Sequence, residues 1–348
     1  MKALVYKGIK QVEVIDVPNP EILTPNDVIV KVECAAICGS DMHVYHGREQ
    51  GIDINTIMGH EFVGTVIEIG DSVKRFKPGD EVISPFTTNC GQCYYCENGL
   101  TARCEQSQLY GWVEQGIGLH GIHAEFARVP FADSTLVHKP EHISWERANL
   151  ISDNLPTGYF GVEMVEINPK GVYAVLGCGS VGLMAALSAF EQGATRVYAL
   201  DRIPFRLEKA ASFGAIPINI DQEDAVKKIK AETGGRGVDG AIEAVGSAPP
   251  LKLAFDLLRP GGVLGSVGVQ AFDKLPFSPP NLYDKNVTMK FGRCSARHYI
   301  DKVLPIIDTL PADVLDVVTH QFPLAEAKEA YRVFDEEKES AIKVLLKP

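Results

Sequence analysis

Four thiols fall within fifteen residues as Cys90-x2-Cys93-x2-Cys96-x7-Cys104. Thiolates crowded this closely favour a tetrahedral zinc ion, with Zn–S bonds of about 2.3 Å. The surrounding Asn89, Gly91, Gln92, Glu97, Asn98 and Gly99 are loop formers that let a short lobe wrap round an ion. Two rival readings fit less well. A bacterial iron–sulfur motif wants its last cysteine three residues on, followed by proline, and here seven residues intervene. A disulfide knot belongs to small secreted domains, and this chain has 348 residues. A closed four-thiolate site leaves no open coordination position, so the reaction chemistry must lie elsewhere.

A second constellation is Cys38-Gly39-Ser40-Asp41-Met42-His43, followed by Gly59-His60-Glu61. A thiolate and an imidazole are good zinc ligands, but a catalytic zinc needs three protein ligands and one open position. Spacing alone does not name the third.

Gly177-Cys178-Gly179-Ser180-Val181-Gly182 reads G-x-G-x-x-G. It follows an apolar strand, opens a helix of small residues and precedes a strand ending at Asp201, which is the full dinucleotide context. Gly177 allows the tight turn, Gly179 lets backbone approach a pyrophosphate, and Gly182 lets helix and strand pack closely. The pyrophosphate then sits on unsatisfied helix N–H groups. Asp201 lies 19 residues past Gly182, where a carboxylate accepts both ribose hydroxyls of NAD and repels a 2′-phosphate. That repulsion makes NAD expected over NADP, although Arg202 beside Asp201 softens it. A glycine turn without a ligand is the plain alternative.

The elements that carry these motifs fall into two regions. Up to about residue 150 the chain reads as all-β, with short runs at Val28–Val32, Val63–Ile69, Glu81–Ser84 and Ala124–Val129 separated by Gly, Pro and Asp turns. From about 155, strands and helices alternate: Val172–Leu176, Val181–Gln192, Arg196–Leu200, Arg206–Phe213, Gly237–Glu243, Leu251–Leu258 and Gly262–Val269. That rhythm implies a parallel, doubly wound sheet. Two amphipathic helices, Tyr299–Leu310 and Leu324–Glu336, and a closing strand Ala341–Leu346 follow. The net charge of −11 argues against nucleic acid or an anionic membrane as partner, because both reward basic patches. No run approaches the ~18–20 apolar residues of a membrane span. The first residues begin as a strand and lack a secretory apolar stretch. Eight cysteines in such a chain fit a reducing cytoplasm, with some thiols on metal.

The ordered set of motifs resembles the zinc-dependent medium-chain alcohol dehydrogenases over essentially the whole chain. Gly59-His60-Glu61-x2-Gly64-x5-Gly70-x2-Val73 matches that family's zinc signature, and the four-cysteine lobe, Cys38–Asp41 and Gly177–Gly182 lie in family order. Ile151-Ser152-Asp153-Asn154-Leu155-Pro156-Thr157-Gly158-Tyr159 is similar to the branch of glutathione-independent formaldehyde dehydrogenases and bacterial secondary-alcohol dehydrogenases. So is Tyr110-Gly111-Trp112 through Ala124–Pro130. The implied fold is α/β: a GroES-like β-barrel catalytic domain (1–152, completed by 294–348) and a Rossmann domain with a doubly wound parallel sheet (153–293), the active site lying in the cleft.

By resemblance, Cys38, His60 and Asp153 hold a catalytic zinc, while Cys90, Cys93, Cys96 and Cys104 hold a structural one. Zinc there would lower the pKa of the alcohol. Ser40 would take the hydroxyl proton and pass it by way of cofactor hydroxyls to His43. Asp41 would fix the tautomer of His60, and Glu61 resembles a glutamate that exchanges with the metal's ligands. Thr157, Val245, Val267 and Val269 would border the nicotinamide, and Lys343 would meet the pyrophosphate. Phe86, Trp112 and Cys294 are pocket candidates that favour an apolar group. Plainer readings compete: His43 as a solvated loop residue, Lys343 as a surface cation, Asp41 as a helix cap. His46, His120, His123, His138, His142, His298 and His320 read as surface or packing residues. The expected activity is NAD-linked interconversion of a small alcohol with an aldehyde or ketone, by a homo-oligomer (tetramer or dimer). Alternatives are an aldehyde dehydrogenase or dismutase of the formaldehyde type, for whose cofactor-trapping insertion the chain has little room, and a zinc-stabilised NAD-binding protein without turnover.

Overall fold

The ten-residue strand Val28–Ile37 organises the first half of the molecule in the computed structural model, which describes residues 1–348. One edge pairs with Glu61–Ile69 over nearly its full length; the other meets Phe126–Val129 at its start and Lys343–Lys347 at its end. The sheet runs Val318–Pro323, Lys343–Lys347, Val28–Ile37, Glu61–Ile69, Glu81–Ser84, Val137–His138. Val28, Val30, Val32, Phe62, Val66, Val82, Val344 and Leu346 build its apolar core. Cys34–Ile37 breaks the alternation of a half-buried strand and is wholly buried. The cause is a helix, Trp145–Ser152, packed against Val28–Ile37, Glu61–Ile69 and Glu81–Ser84. Ser144 caps it, its side chain accepting the Arg147 N–H at 3.2 Å. The all-β expectation overlooked this helix because Ala148 to Ser152 are all buried, so no polar face marks a helical period.

The second half carries six parallel strands in the order Ile216–Asn219, Val197–Asp201, Tyr173–Leu176, Val238–Glu243, Leu258–Ser266, Thr288–Phe291. The chain starts in the middle, winds to one edge, then returns to the other. Such a sheet binds ligands beyond the carboxyl ends of its strands, where the order reverses, between Tyr173–Leu176 and Val238–Glu243.

Two units result. One comprises Met1–Asp153, Ser295–Leu304 and Val318–Pro348; the other comprises Asn154–Cys294 and Pro305–Val317. Segment 305–317, expected in the catalytic domain, packs with the second unit. Ile307, Leu310, Val314 and Val317 are buried, and Asp316 accepts from Lys209 Nζ at 2.9 Å. The helix expected over Tyr299–Leu310 ends at Val303, since Pro305 has no N–H to continue the ladder. No helix is long and apolar enough to cross a membrane.

The glycine-rich turn shows why its residue types are fixed. Gly177 has φ +89°, and a Cβ on Gly182 would lie 1.7 Å from the Gly177 carbonyl oxygen. Gly182→Ala is therefore expected to push helix Ser180–Glu191 off its strand and cost about 1–3 kcal/mol, read as a lower midpoint in denaturant unfolding; an unchanged midpoint would contradict the close packing.

Candidate active site

The register of three strands assembles one pocket in the first unit. Ala36 pairs with Glu61 and Ile37 with Val344. Cys38 thus leaves the end of one strand where His60 and Glu61 enter the next and Lys343 begins the third. Asp153, ending helix Trp145–Ser152, adds a fourth donor. One ligand atom each from Cys38, His60, Glu61 and Asp153 lies within 4.8 Å of the others, and all four residues are buried. Cys38 Sγ stands 3.6 Å from Asp153 Oδ2, and His60 Nε2 stands 3.7 Å from the same oxygen.

Asp41 holds this set from behind. Its Oδ1 meets His60 Nδ1 at 2.9 Å, and its Oδ2 accepts the Cys38 N–H at 2.8 Å. A carboxylate there keeps the proton on Nδ1 and turns the Nε2 lone pair towards Cys38 and Asp153. Ser40 Oγ lies 3.2 Å from Nε2. The His43 N–H donates to the Ser40 carbonyl at 3.0 Å, so the serine and histidine share one turn at the start of helix Asp41–Tyr45. His43 is buried, and its Nδ1 has no hydrogen-bond partner. Phe86 is buried edge-on to His60, ring centroids 6.2 Å apart.

The electrostatics describe a pocket short of positive charge. Burial pushes the Cys38 thiol up to about 11, and the Glu61 and Asp153 carboxylates add to the rise. Burial raises Glu61 to about 7 against the pull of Lys343. Burial alone would depress His60, yet Asp41 and Asp153 hold it well above the ordinary histidine value. A divalent cation relieves all of these at once, and sulfur, nitrogen and oxygen donors together suit zinc. The donor set therefore fits the metal.

The four-cysteine lobe passes the same test. Its sulfurs also lie within 4.8 Å of one another, and no cysteine of the chain is in a disulfide. Cys93 and Cys96 sulfurs are 3.6 Å apart, and the N–H groups of Cys90 and Gln106 donate to Cys104 Sγ at 3.2 and 3.4 Å. Amides aimed at sulfur favour thiolate. Backbone N–H groups lower Cys93 to about 6, while burial raises Cys96 and Cys104. Four thiolates this close require a cation between them.

In the second unit, Gly179 precedes the first turn of helix Ser180–Glu191, with Ser180 and Val181 as its opening residues and nothing within 4 Å of a Cβ built on Gly179. Asp201 is oriented by three amides: Cys178 N–H on Oδ2 at 2.7 Å, and Arg202 and Ile203 N–H on Oδ1 at 2.7 and 3.0 Å. Arg202 turns its guanidinium to Asp221, 3.2 Å away.

Comparison with known proteins agrees with both halves. Residues 24–141 match the family described as alcohol dehydrogenase GroES-like domain, and residues 180–309 match zinc-binding dehydrogenase. Zinc-type alcohol dehydrogenase B of Aspergillus flavus is 39% identical over 344 residues, covering 96% of this chain and 79% of that protein. The chain belongs to the zinc-dependent medium-chain alcohol dehydrogenase family. Alcohol dehydrogenase TADH from Thermus sp. ATN1 superposes with a TM-score of 0.93 at 40% identity, covering 100% of this chain and 99% of that one. A protein from Sinorhizobium meliloti 1021, solved bound to NADP, has a TM-score of 0.85 at 26% identity, covering 100% and 99% of the two chains. As a member of that family the protein is an oxidoreductase with a GroES-like domain and a Rossmann-type domain.

One sequence assignment in this dehydrogenase is overturned. Lys343 is neither a surface cation nor a pyrophosphate ligand: it has no exposed surface and its Nζ donates to Glu61 Oε2, with the Ile37 carbonyl 3.5 Å away. A buried carboxylate needs a counter-charge or a full set of hydrogen bonds, and Glu61 takes this lysine. The lone lysine in Ala341-Ile342-Lys343-Val344-Leu345-Leu346 was the available signal. Asn149 was missed; its Nδ2 donates to the Glu61 carbonyl at 3.4 Å. His123 is buried, as a packing residue should be, between the Ala36 carbonyl at 3.1 Å and the Tyr331 hydroxyl at 3.2 Å. Trp112 lies half-buried in the hairpin Trp112–Leu119, packed against the barrel core. In the Rossmann unit Thr157 and Cys294 are buried, Val267 is half-buried, and Val245 and Val269 are exposed.

Elemental analysis should find two zinc ions per chain. Cys93→Ser should lose one and lower thermal stability. Cys38→Ser or Asp153→Ala should lose the other and nearly all turnover while the fold persists by circular dichroism. Full activity in Asp153→Ala with two zinc ions retained would place the third ligand elsewhere.

Proposed function

We propose that the protein is an NAD-dependent zinc alcohol dehydrogenase that interconverts a small alcohol with its aldehyde or ketone by reversible hydride transfer. The observation that carries this reading is the convergence of Cys38, His60 and Asp153 donors beside Ser40 and His43. Zinc held by those three residues would supply Lewis-acid polarisation of the substrate oxygen. The protein's own groups do the rest. Ser40, whose Oγ lies beside the donor set, accepts the hydroxyl proton and hands it on. His43 receives it as a neutral imidazole. Burial lowers the His43 pKa, helped by Arg48 and His46 and opposed by Glu49, which keeps the ring neutral at physiological pH. Asp41 holds His60 in the ligating tautomer, and Phe86 walls the donor set with an apolar face.

Asp201 supports NAD. Its three amide bonds leave about one of a carboxylate's four acceptor sites and fix its direction, which suits a ribose hydroxyl and repels a 2′-phosphate. Arg202, engaged with Asp221, does not offset that repulsion. Eight cysteines without a disulfide support a cytoplasmic setting, and the family reading carries a homodimer or homotetramer with it. The direct test is NAD-linked turnover by the zinc-loaded protein over primary, secondary and polyol substrates. NAD reduction with any of them supports the reading, and its absence with all of them refutes it.

NAD should exceed NADP by about tenfold or more in kcat/KM, equivalent to about 1.4 kcal/mol. Asp201→Ala should narrow or reverse that ratio; equal use of both cofactors by the unmodified protein would remove Asp201 as the selector.

The lowered His43 pKa sets the acid limb. The neutral ring is the acceptor, so oxidation should hold as pH falls through 6.5, the ordinary histidine value, and decline only below it. His43→Ala should slow oxidation most just below about pH 7, where the ring is still neutral and external base is scarce, and added imidazole buffer should restore part of the rate. An unaltered pH–rate profile in His43→Ala would return this residue to a packing role.

A further inference from the structure

Strand Val238–Glu243 ends in a carboxylate that the reaction scheme does not use. Glu243 is fully buried, and no lysine or arginine pairs with it. Its Oε1 accepts the N–H groups of Val245 and Gly246, each at 2.7 Å. Its Oε2 accepts from Ser266 Oγ at 2.8 Å and Gln270 Nε2 at 2.7 Å. Four donors fill the four acceptor sites of a carboxylate. The Glu243 backbone carbonyl also receives the N–H groups of Val267 and Gly268, at 3.0 and 3.3 Å. One residue thus ties its own loop, 245–246, to the loop that leaves the neighbouring strand, 266–270.

The two loops have no slack. A Cβ on Gly246 would stand 2.2 Å from the Val269 carbonyl oxygen, and one on Gly268 would stand 2.2 Å from the Gly246 nitrogen. Both follow the carboxyl ends of strands on one side of the point where the sheet order reverses, the region in which such sheets bind ligands. Val245 and Val269 stay exposed there. The network ends in an unused acceptor, because Gln270 Oε1 is buried without a partner.

We propose that Glu243 is a positioning residue for the nicotinamide end of NAD(H), setting the separation of loops 245–246 and 266–270. The proposal rests on the reading of Val245, Val267 and Val269 as the border of the nicotinamide. A packing role alone would be served by an apolar side chain. An acceptor-only group that turns two successive amides and two side-chain donors inward defines one loop geometry and excludes slippage. The effect of losing it should therefore concentrate on the part of the cofactor those loops touch, not on the adenosine diphosphate half held by Gly177–Gly182 and Asp201.

Calorimetric titration of the zinc-loaded full chain with NADH and with ADP-ribose, which lacks the nicotinamide, separates the possibilities. Glu243→Ala should weaken NADH about tenfold or more and ADP-ribose by less than about twofold. Glu243→Gln, whose carbonyl still accepts from Val245 and Gly246, should keep NADH within about threefold. Gly246→Ala, which forces the loops apart, should repeat the alanine result and carries the test if Glu243→Ala does not fold. NADH affinity unchanged in Glu243→Ala, or NADH and ADP-ribose weakened equally, would overturn the positioning role. Failure of the unmodified chain to bind either molecule would overturn the cofactor reading beneath it.

Discussion

Burying acidic ligands is the constraint on which the catalytic unit is built. Cys38, Glu61 and Asp153 crowd one buried pocket, and desolvated anions in contact repel one another. The protein answers twice. Asp41 and His60 form a hydrogen-bonded pair that aims the imidazole, and Lys343 neutralises Glu61 from beneath. Cys38 Sγ and Asp153 Oδ2 still face each other across 3.6 Å. Such a crowd of buried donors suits a cation, which would offset their repulsion and be held tightly for that reason. Breaking the buried Glu61–Lys343 pair from either side would leave a lone charge in the same pocket, a loss of about 3–5 kcal/mol in comparable cases. The glutamate beside the donor set is therefore tied to the closing strand of the sheet, and metal site and fold stand together.

The nucleotide-binding unit solves a different problem with backbone. Its ligand is anionic at one end and needs a defined plane at the other. Gly177 and Gly182 let helix Ser180–Glu191 present unpaired N–H groups to a phosphate. Asp201 is aimed by three amides, one of them from inside the same glycine turn, so the carboxylate and the turn form one piece. An error in the turn would displace the carboxylate with it.

Legibility from sequence followed distance along the chain. The four-cysteine lobe was readable because its ligands are close neighbours, and the glycine turn because its context of strand, turn, helix and acidic residue spans few residues. Cys38 and His60 were visible as candidates, but Asp153 lies 115 residues from Cys38, and no spacing rule crosses that gap; resemblance alone named it. Lys343 is 282 residues from Glu61, and its role was misread because a lysine in isolation reads as exposed. The parallel sheet was recognisable from its rhythm, whereas helix Trp145–Ser152 was hidden by the burial of its last five residues. Segment 305–317 shows the same limit at domain scale, since its apolar residues do not announce which core they enter.

Two buried glutamates show how far a carboxylate's surroundings decide its use. Glu61 faces a lysine and lies within reach of three metal-type donors, and burial raises it to about 7. Glu243 has no cation, but its four acceptor sites are filled by two amides, a hydroxyl and a carboxamide. Directed hydrogen bonds stabilise the anion without making its charge available to anything else. The first carboxylate ties a set of metal-type donors to the closing strand of its sheet, and the second ties two neighbouring loops into one geometry, so the same side chain serves as an ion-pair partner in one place and as a hydrogen-bond clamp in the other.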